Sequence, residues 1–262
     1  MLRLTLTTVL AILFLSSCDK LVEVVRARNK GSIADEIKIS SSSKQEVVTA
    51  FEAIAKATSE HNRVFLENFD SQKPANELAC NAGIEQLGRS ARQHAGLTKQ
   101  VIHAVTATCI YEKGLFTPLD KISMQLEGMP TWSSDRSTQL RGQIQIIDQI
   151  IVTYDGGISY LERHEQPLQQ RNFDKYKVPA EVSAEFFRLS ELHGKEVTES
   201  KLGMFREQRT ALQLHRESMT SGNAAKANEL AVQAREHEQK ASQFESKMIA
   251  AVRKQMKASS LP

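Results

Sequence analysis

The stretch LRGQIQIIDQIIVTYDGGISYL, residues 140–161, decides the fold class. Leu140, Ile144, Ile147, Ile151, Tyr154, Ile158 and Leu161 recur at alternating steps of four and three. That is the period of one helix face, not the two-residue alternation of a half-buried strand. Ile146 and Ile150 widen the apolar stripe, which predicts a central helix touching more than one neighbour. Gly156-Gly157 lies inside the pattern, where each glycine costs about 1 kcal/mol against alanine. A local bend or a close helix approach is the expected reason. Pro167 is expected to end this helix near Gln166.

Downstream, residues 167–179 are polar, close on Val178-Pro179 and read as a linker. Two long helices are then expected, over about 180–219 and 224–258, joined by a tight turn at Thr220-Ser221-Gly222-Asn223. The last one carries Ala227, Leu230, Ala234, His237, Ala241, Phe244, Met248, Ala251 and Gln255 in heptad steps. Phe186, Leu189, His193, Val197, Phe205, Leu212, His215 and Met219 are available to face it. At 1.5 Å per residue each helix would be roughly 50–60 Å long.

Upstream, Ser43-Lys44-Gln45-Glu46 reads as a capping box. The helix it opens carries Val47, Phe51, Ile54, Thr58, Asn62, Phe65 and Phe69 on one face and ends near Ser71 to Pro74. A second segment from Ala75 has the stripe Cys80, Ile84, Leu87, Ala91, His94, Thr98, Val101, Val105 and Thr108, in coiled-coil steps. Its register runs on past Gly83, Gly88 and Gly96. Gly114 and Thr117-Pro118 are expected to stop it, with Thr117 capping a short helix to Glu127. Gly128 to Ser134, with the single Trp132, reads as a turn. Aromatic residues make up only 6% of the chain, which favours aliphatic helix packing. The expected fold is therefore all-α. A helical bundle over 43–166 is followed by the linker 167–179 and by a long antiparallel helical hairpin over 180–262, elongated as a whole.

The first residues carry a different signal. Arg3 precedes an apolar run, Leu4 to Leu15, of about 12 residues, too short to span a bilayer. Leu15-Ser16-Ser17-Cys18 resembles the lipobox of bacterial lipoproteins. The resemblance covers residues 1–19. It implies that residues 1–17 are a signal peptide and that Cys18 becomes an N-terminus bearing a thioether-linked diacylglycerol. It also implies acyl-chain (palmitate-type) anchoring, and two chains suffice to hold a protein at a membrane. Asp19 resembles the sorting signal that retains such proteins in the inner membrane. The implied address is the cell envelope, at the periplasmic face of that membrane. Residues 18–42 then form a tether, which as a flexible chain reaches roughly 25–30 Å on average. Within it, Glu36-Ile37-Lys38-Ile39 alternates like a short strand without an obvious partner.

The charge balance sets further bounds. Lys and Arg number 34 and Asp and Glu 31, a formal charge of +3. Loss of residues 1–17 removes Arg3 and leaves about one unit less. That is no field for gripping nucleic acid, so no nucleic-acid partner is expected.

Chemistry-bearing residues are sparse. Cys80 and Cys109 would tend to pair in an oxidising periplasm. On one straight helix they would stand roughly 43 Å apart, against the 4.4–6.8 Å between Cα atoms that a disulfide needs. Either the segment folds back, or these thiols do not pair with each other. His94, His193, His215 and His237 fall at or near core registers, a set from which a metal or haem site between helices could be built. Yet no pair stands at i, i+4, and no Glu-x-x-His occurs. There is no Gly-x-Ser-x-Gly, no His-Glu-x-x-His and no phosphate-binding glycine loop. The sequence reading is a lipid-anchored, non-enzymatic adaptor or scaffold without a cofactor. It would bind another envelope protein through the 180–258 hairpin. The alternative is a metal- or ligand-binding bundle using the interior histidines.

Overall fold

The computed structural model describes residues 37–39, 41–69, 74–127 and 136–259. The signal segment, Cys18, Asp19 and the turn holding Trp132 lie outside the described residues. Every regular element among those described is helical: α1 Ser41–Phe69, α2 Ala75–Gln93, α3 Gly96–Glu127, α4 Arg136–Ser159, a π-helical turn Tyr160–His164, α5 Glu165–Lys175, α6 Ala180–Thr220 and α7 Ala224–Ser259. None of these helices is long and apolar enough to cross a membrane.

The expected second segment is two helices, not one. It folds back at His94-Ala95, where Gly96 adopts φ +57°. A Cβ there would stand 2.7 Å from Glu46 Oε1. α1 starts at Ser41, two residues before the expected cap at Ser43, and Glu46 turns to α3. Its carboxylate accepts from the Leu97 N–H at 3.0 Å, and the Thr98 hydroxyl donates to its carbonyl at 3.0 Å. A tertiary contact 51 residues away thus supplies the α3 cap. The apolar register hid the break because the stripes of α2 and α3 face the same core on either side of it.

The expected stop at Gly114 and Thr117-Pro118 is also absent. α3 runs through with Pro118 inside it, and Thr117 donates to the Lys113 carbonyl at 2.8 Å instead of capping a new helix. An interior proline costs about 3 kcal/mol. This turn, however, buries Phe116, whose ring meets Tyr160 and Phe205 with centroids 6.1 and 5.9 Å away. Full burial of such a ring contributes about 1.5–3 kcal/mol, before the ring contacts add to it.

Pro167 does not end the α4 segment, and residues 167–179 are no linker. Pro167 lies inside a helix that runs on from α4 through the π-helical turn into α5, two residues past Glu165, whose N–H bonds to the Tyr160 carbonyl. Phe173 and Val178 from this stretch are buried in the core. Of the adjacent glycines Gly156 and Gly157 in α4, Gly157 has the tighter surroundings. A Cβ there would sit 2.8 Å from Phe116 and 3.0 Å from Phe205. The close approach expected from the sequence therefore occurs at that residue.

Two apolar cores stack along the molecule. The first joins the N-terminal part of α1 (Val47, Phe51, Ile54), Leu87 and Ala91 of α2, Val101, Ile102 and Val105 of α3, Phe173, and Val182, Phe186 and Leu189 of α6. The second joins Phe65, Ala79, Phe116, the Ile147, Ile150 and Tyr154 face of α4, and Met204, Phe205, Ala241 and Met248 from α6 and α7. α6 and α7 run antiparallel across a short turn. Ser218 donates to the Ala227 carbonyl at 2.8 Å. Asn223 caps α7 by accepting from the N–H groups of Ala225 and Lys226 at 2.9 and 3.1 Å.

The short alternating piece before α1 does find a partner. Ile37 is buried in the first core and Ile39 packs against it. The Lys38 N–H donates to Glu185 Oε1 of α6 at 2.8 Å.

Candidate functional site

Between the two cores lies a layer of buried polar side chains. On α1, Thr58, His61 and Asn62 fall between Ala57 of the first core and Phe65 of the second. On α3, Thr108 and Glu112 fall between Val105 and Phe116. On the return strand of chain, Glu165 and Gln169 fall between Leu161 and Phe173. Cys80 of α2, which packs in the second core, borders the layer at His61. All of these are buried.

Hydrogen bonds tie the layer together. Tyr160 donates its hydroxyl to Glu112 Oε1 at 2.8 Å. Asn172 donates to the Thr108 hydroxyl at 2.9 Å, and Gln169 donates to Glu165 at 3.2 Å. Burial first, then the nearby Glu112 and Glu165, push the Tyr160 phenol well above its ordinary range. It is therefore a neutral donor at any physiological pH. The π-helical turn makes this geometry. On an α-helix, positions five apart diverge by about 140°. Here the Glu165 N–H bonds to the Tyr160 carbonyl, the i to i+5 pattern. That closes the turn and lets both Tyr160 and Glu165 reach the interior.

At one corner of the layer Cys80, His61 and Asn62 stand in sequence. His61 Nδ1 lies 3.1 Å from Asn62 Oδ1, and His61 Nε2 lies 4.0 Å from Cys80 Sγ. If Nδ1–H donates to the amide oxygen, Nε2 accepts the thiol proton, the order of groups that activates a cysteine. All three side chains are at most 4% exposed, so the arrangement is sealed within the bundle. Sequence reasoning passed over His61, Glu112 and Glu165. A buried charge has no periodic signature, and the π-turn that directs Glu165 inward has no motif.

The sequence candidates fall elsewhere. His94 ends α2 at the turn into α3. His215 Nε2 meets Glu238 at 2.9 Å, and His237 Nδ1 meets Glu207 at 2.5 Å. These two imidazoles are each engaged by a carboxylate across the α6–α7 interface. The His193 side chain lies outside the described residues. No group of three or more His, Cys, Asp or Glu side chains among the described residues is arranged to hold a metal ion. Cys80 and Cys109 are both buried, and no disulfide joins them. The segment does fold back, and the turn at His94-Ala95 is midway between them. Cys109 nevertheless packs in the first core and Cys80 in the second.

Comparison with family models, with curated proteins and with solved structures finds no match to this chain.

Proposed function

We propose that this chain is a lipid-anchored envelope protein, held at the periplasmic face of the inner membrane through acylated Cys18. Its helical body is an adaptor that binds another envelope protein without performing chemistry on it. The observation that carries this reading is Leu15-Ser16-Ser17-Cys18 placed ahead of an all-helical body. Anchoring confines the body to a thin layer, where a modest affinity gives high occupancy. The sequence alone favoured the 180–258 hairpin as the contact surface. The exposed apolar side chains favour α3 instead. Ile110 and Tyr111 are adjacent and 54% and 51% exposed, whereas among the described side chains the α6–α7 pair offers Val232.

Site-specific photocrosslinking in native envelopes tests this reading. A photoreactive residue at Tyr111 should capture one dominant envelope protein, and one at Val232 should not. The capture should disappear with Cys18→Ala and with Ile110→Asp. Equal, diffuse capture from both positions would refute the adaptor role.

A further inference from the structure

We infer that the end of the bundle where the chain enters at Ile37 is a basic surface that docks on the anionic phospholipid headgroups of the bilayer. The inference rests on the membrane attachment proposed above and adds an orientation to it.

Four contacts bring distant segments to this one end. Ile37 is seated in the first core and the Lys38 N–H is held by Glu185 near the start of α6. Glu46 in α1 caps the start of α3 through Leu97. The rings of His103 on α3 and Tyr176 after α5 stack with centroids 5.6 Å apart. Val178, leading into α6, is buried in the same core. The start of α1, the α2–α3 turn and the α5–α6 turn are therefore neighbours.

The bases at that end are Lys38, Lys44, Arg92, Lys99, Lys175 and Lys177. All are exposed except Lys44, which is partly so. The acids at this end are Glu46, Asp174 and Glu181, which are exposed, and the buried Glu185, which Arg188 and the Lys38 N–H engage. The whole chain is nearly neutral, so this is a local excess. Arg92 and Lys175 stand in the last turns of α2 and α5, where the helix dipole favours cations. The dipole cannot account for Lys44 and Lys99. They stand in the first turns of α1 and α3, at the positive ends, and neither first turn carries an acid. Lys177 adopts φ +57°, a left-handed conformation that glycine or asparagine would fill more readily.

Position supplies the partner. Eighteen residues lie between Cys18 and Ile37. A flexible chain of that length has a mean reach of roughly 25 Å, well short of the length of α6, which is roughly 60 Å. An acyl chain on Cys18 thus keeps this end, rather than the far α6–α7 turn, closest to the bilayer. Basic groups near an anionic leaflet are attracted within a Debye length, about 8 Å at physiological salt.

The test uses the full-length chain purified with its acyl group and reconstituted into vesicles. One set is phosphatidylcholine alone, and the other is an equal mixture with phosphatidylglycerol. Lysine acetylation rates are read by mass spectrometry. On the anionic vesicles Lys44, Lys99, Lys175 and Lys177 should react about fivefold more slowly than on neutral ones, in keeping with the usual strength per base. Lys226 and Lys240 on α7 should react alike on both. Replacing Lys99, Lys175 and Lys177 together by Glu should restore the Lys44 rate. Should that variant lose helicity, the wild-type difference at about 1 M salt replaces it, where screening should abolish the protection. Equal rates on the two vesicle types, or protection shared by Lys226 and Lys240, would overturn the inference. Flotation with the neutral vesicles reports the anchor separately, so a failed anchor and a failed basic surface give different results.

Discussion

Tyr160 and Glu112 meet at the centre of the molecule: a phenol from the π-helical turn donates to a fully buried carboxylate 48 residues earlier, at 2.8 Å. The bond sits where the two apolar cores join. An ionised carboxylate at such a depth is costly unless donors surround it. Removing the donor should hurt more than removing both partners. Tyr160→Phe should destabilise the fold by about 1–3 kcal/mol in urea unfolding, and the double variant Tyr160→Phe with Glu112→Leu should recover most of that loss. Equal loss in both would show that the pair is not coupled.

Glu245 on α7 is buried, and one of its carboxylate oxygens has no hydrogen-bond partner. Burial pushes its carboxyl up to about 8. The folded chain therefore keeps a proton that the unfolded chain releases near 4.3. Between those two values the folded state binds more protons, so this group makes stability fall as pH rises, levelling off above about 8. Glu245→Gln should raise Tm at pH 8 and change it little at pH 4. An increment independent of pH would contradict this.

Glu185 behaves in the opposite sense. The Arg188 guanidinium, 2.8 Å away, holds its carboxyl below the ordinary range, and the Lys38 N–H adds to this against the opposing effect of burial. Stability from a lowered acid is complete above the unfolded pKa and lost as pH falls through the folded value. The Ile37 seat should loosen in acid. The Lys38 amide should be protected from hydrogen exchange at pH 6 and lose protection near pH 3. Glu185→Gln should weaken protection at pH 6 and leave it nearly insensitive to pH.

The paired glycines of α4 should respond oppositely to alanine. Gly156 has room, its nearest side-chain atom lying 3.9 Å from a built Cβ, at Leu115. Gly156→Ala should stabilise the protein by about 0.5–1 kcal/mol through helix propensity. Gly157→Ala drives a methyl to within 2.8 Å of Phe116 and should cost about 1–3 kcal/mol. Thermal unfolding of the two variants side by side decides the matter, and like signs would refute the packing account.

Much of the helical content was legible in the sequence because periodicity is a local property. Ile147, Ile150 and Tyr154 announced a buried face and are buried. Breaks were harder to read. Pro118 and Pro167 looked like stops, yet one is held in place by the burial of Phe116 and the other follows directly on the π-helical turn, in a helix that continues to Lys175. The break that does occur, at His94-Ala95, left no gap in the hydrophobic stripe, and its cap comes from Glu46 on another helix. The polar layer was least legible. His61, Glu112 and Glu165 lie on three separate segments, and nothing in the local spacing of any one segment marks it as part of a set.

The sequence by itself determined that the described body is all-helical, since the four-and-three spacing of its apolar residues is the period of a helix face. Only the tertiary structure decided where the helices turn, which polar groups are sealed between the cores, and which end of the bundle receives the chain from Cys18. Those outcomes depend on contacts such as Glu46 with Leu97, Tyr160 with Glu112 and Lys38 with Glu185, each between residues far apart in the chain. Hydrophobic periodicity is written within a single helix. Capping, burial and orientation are settled between helices, where the free energy depends on which neighbours arrive.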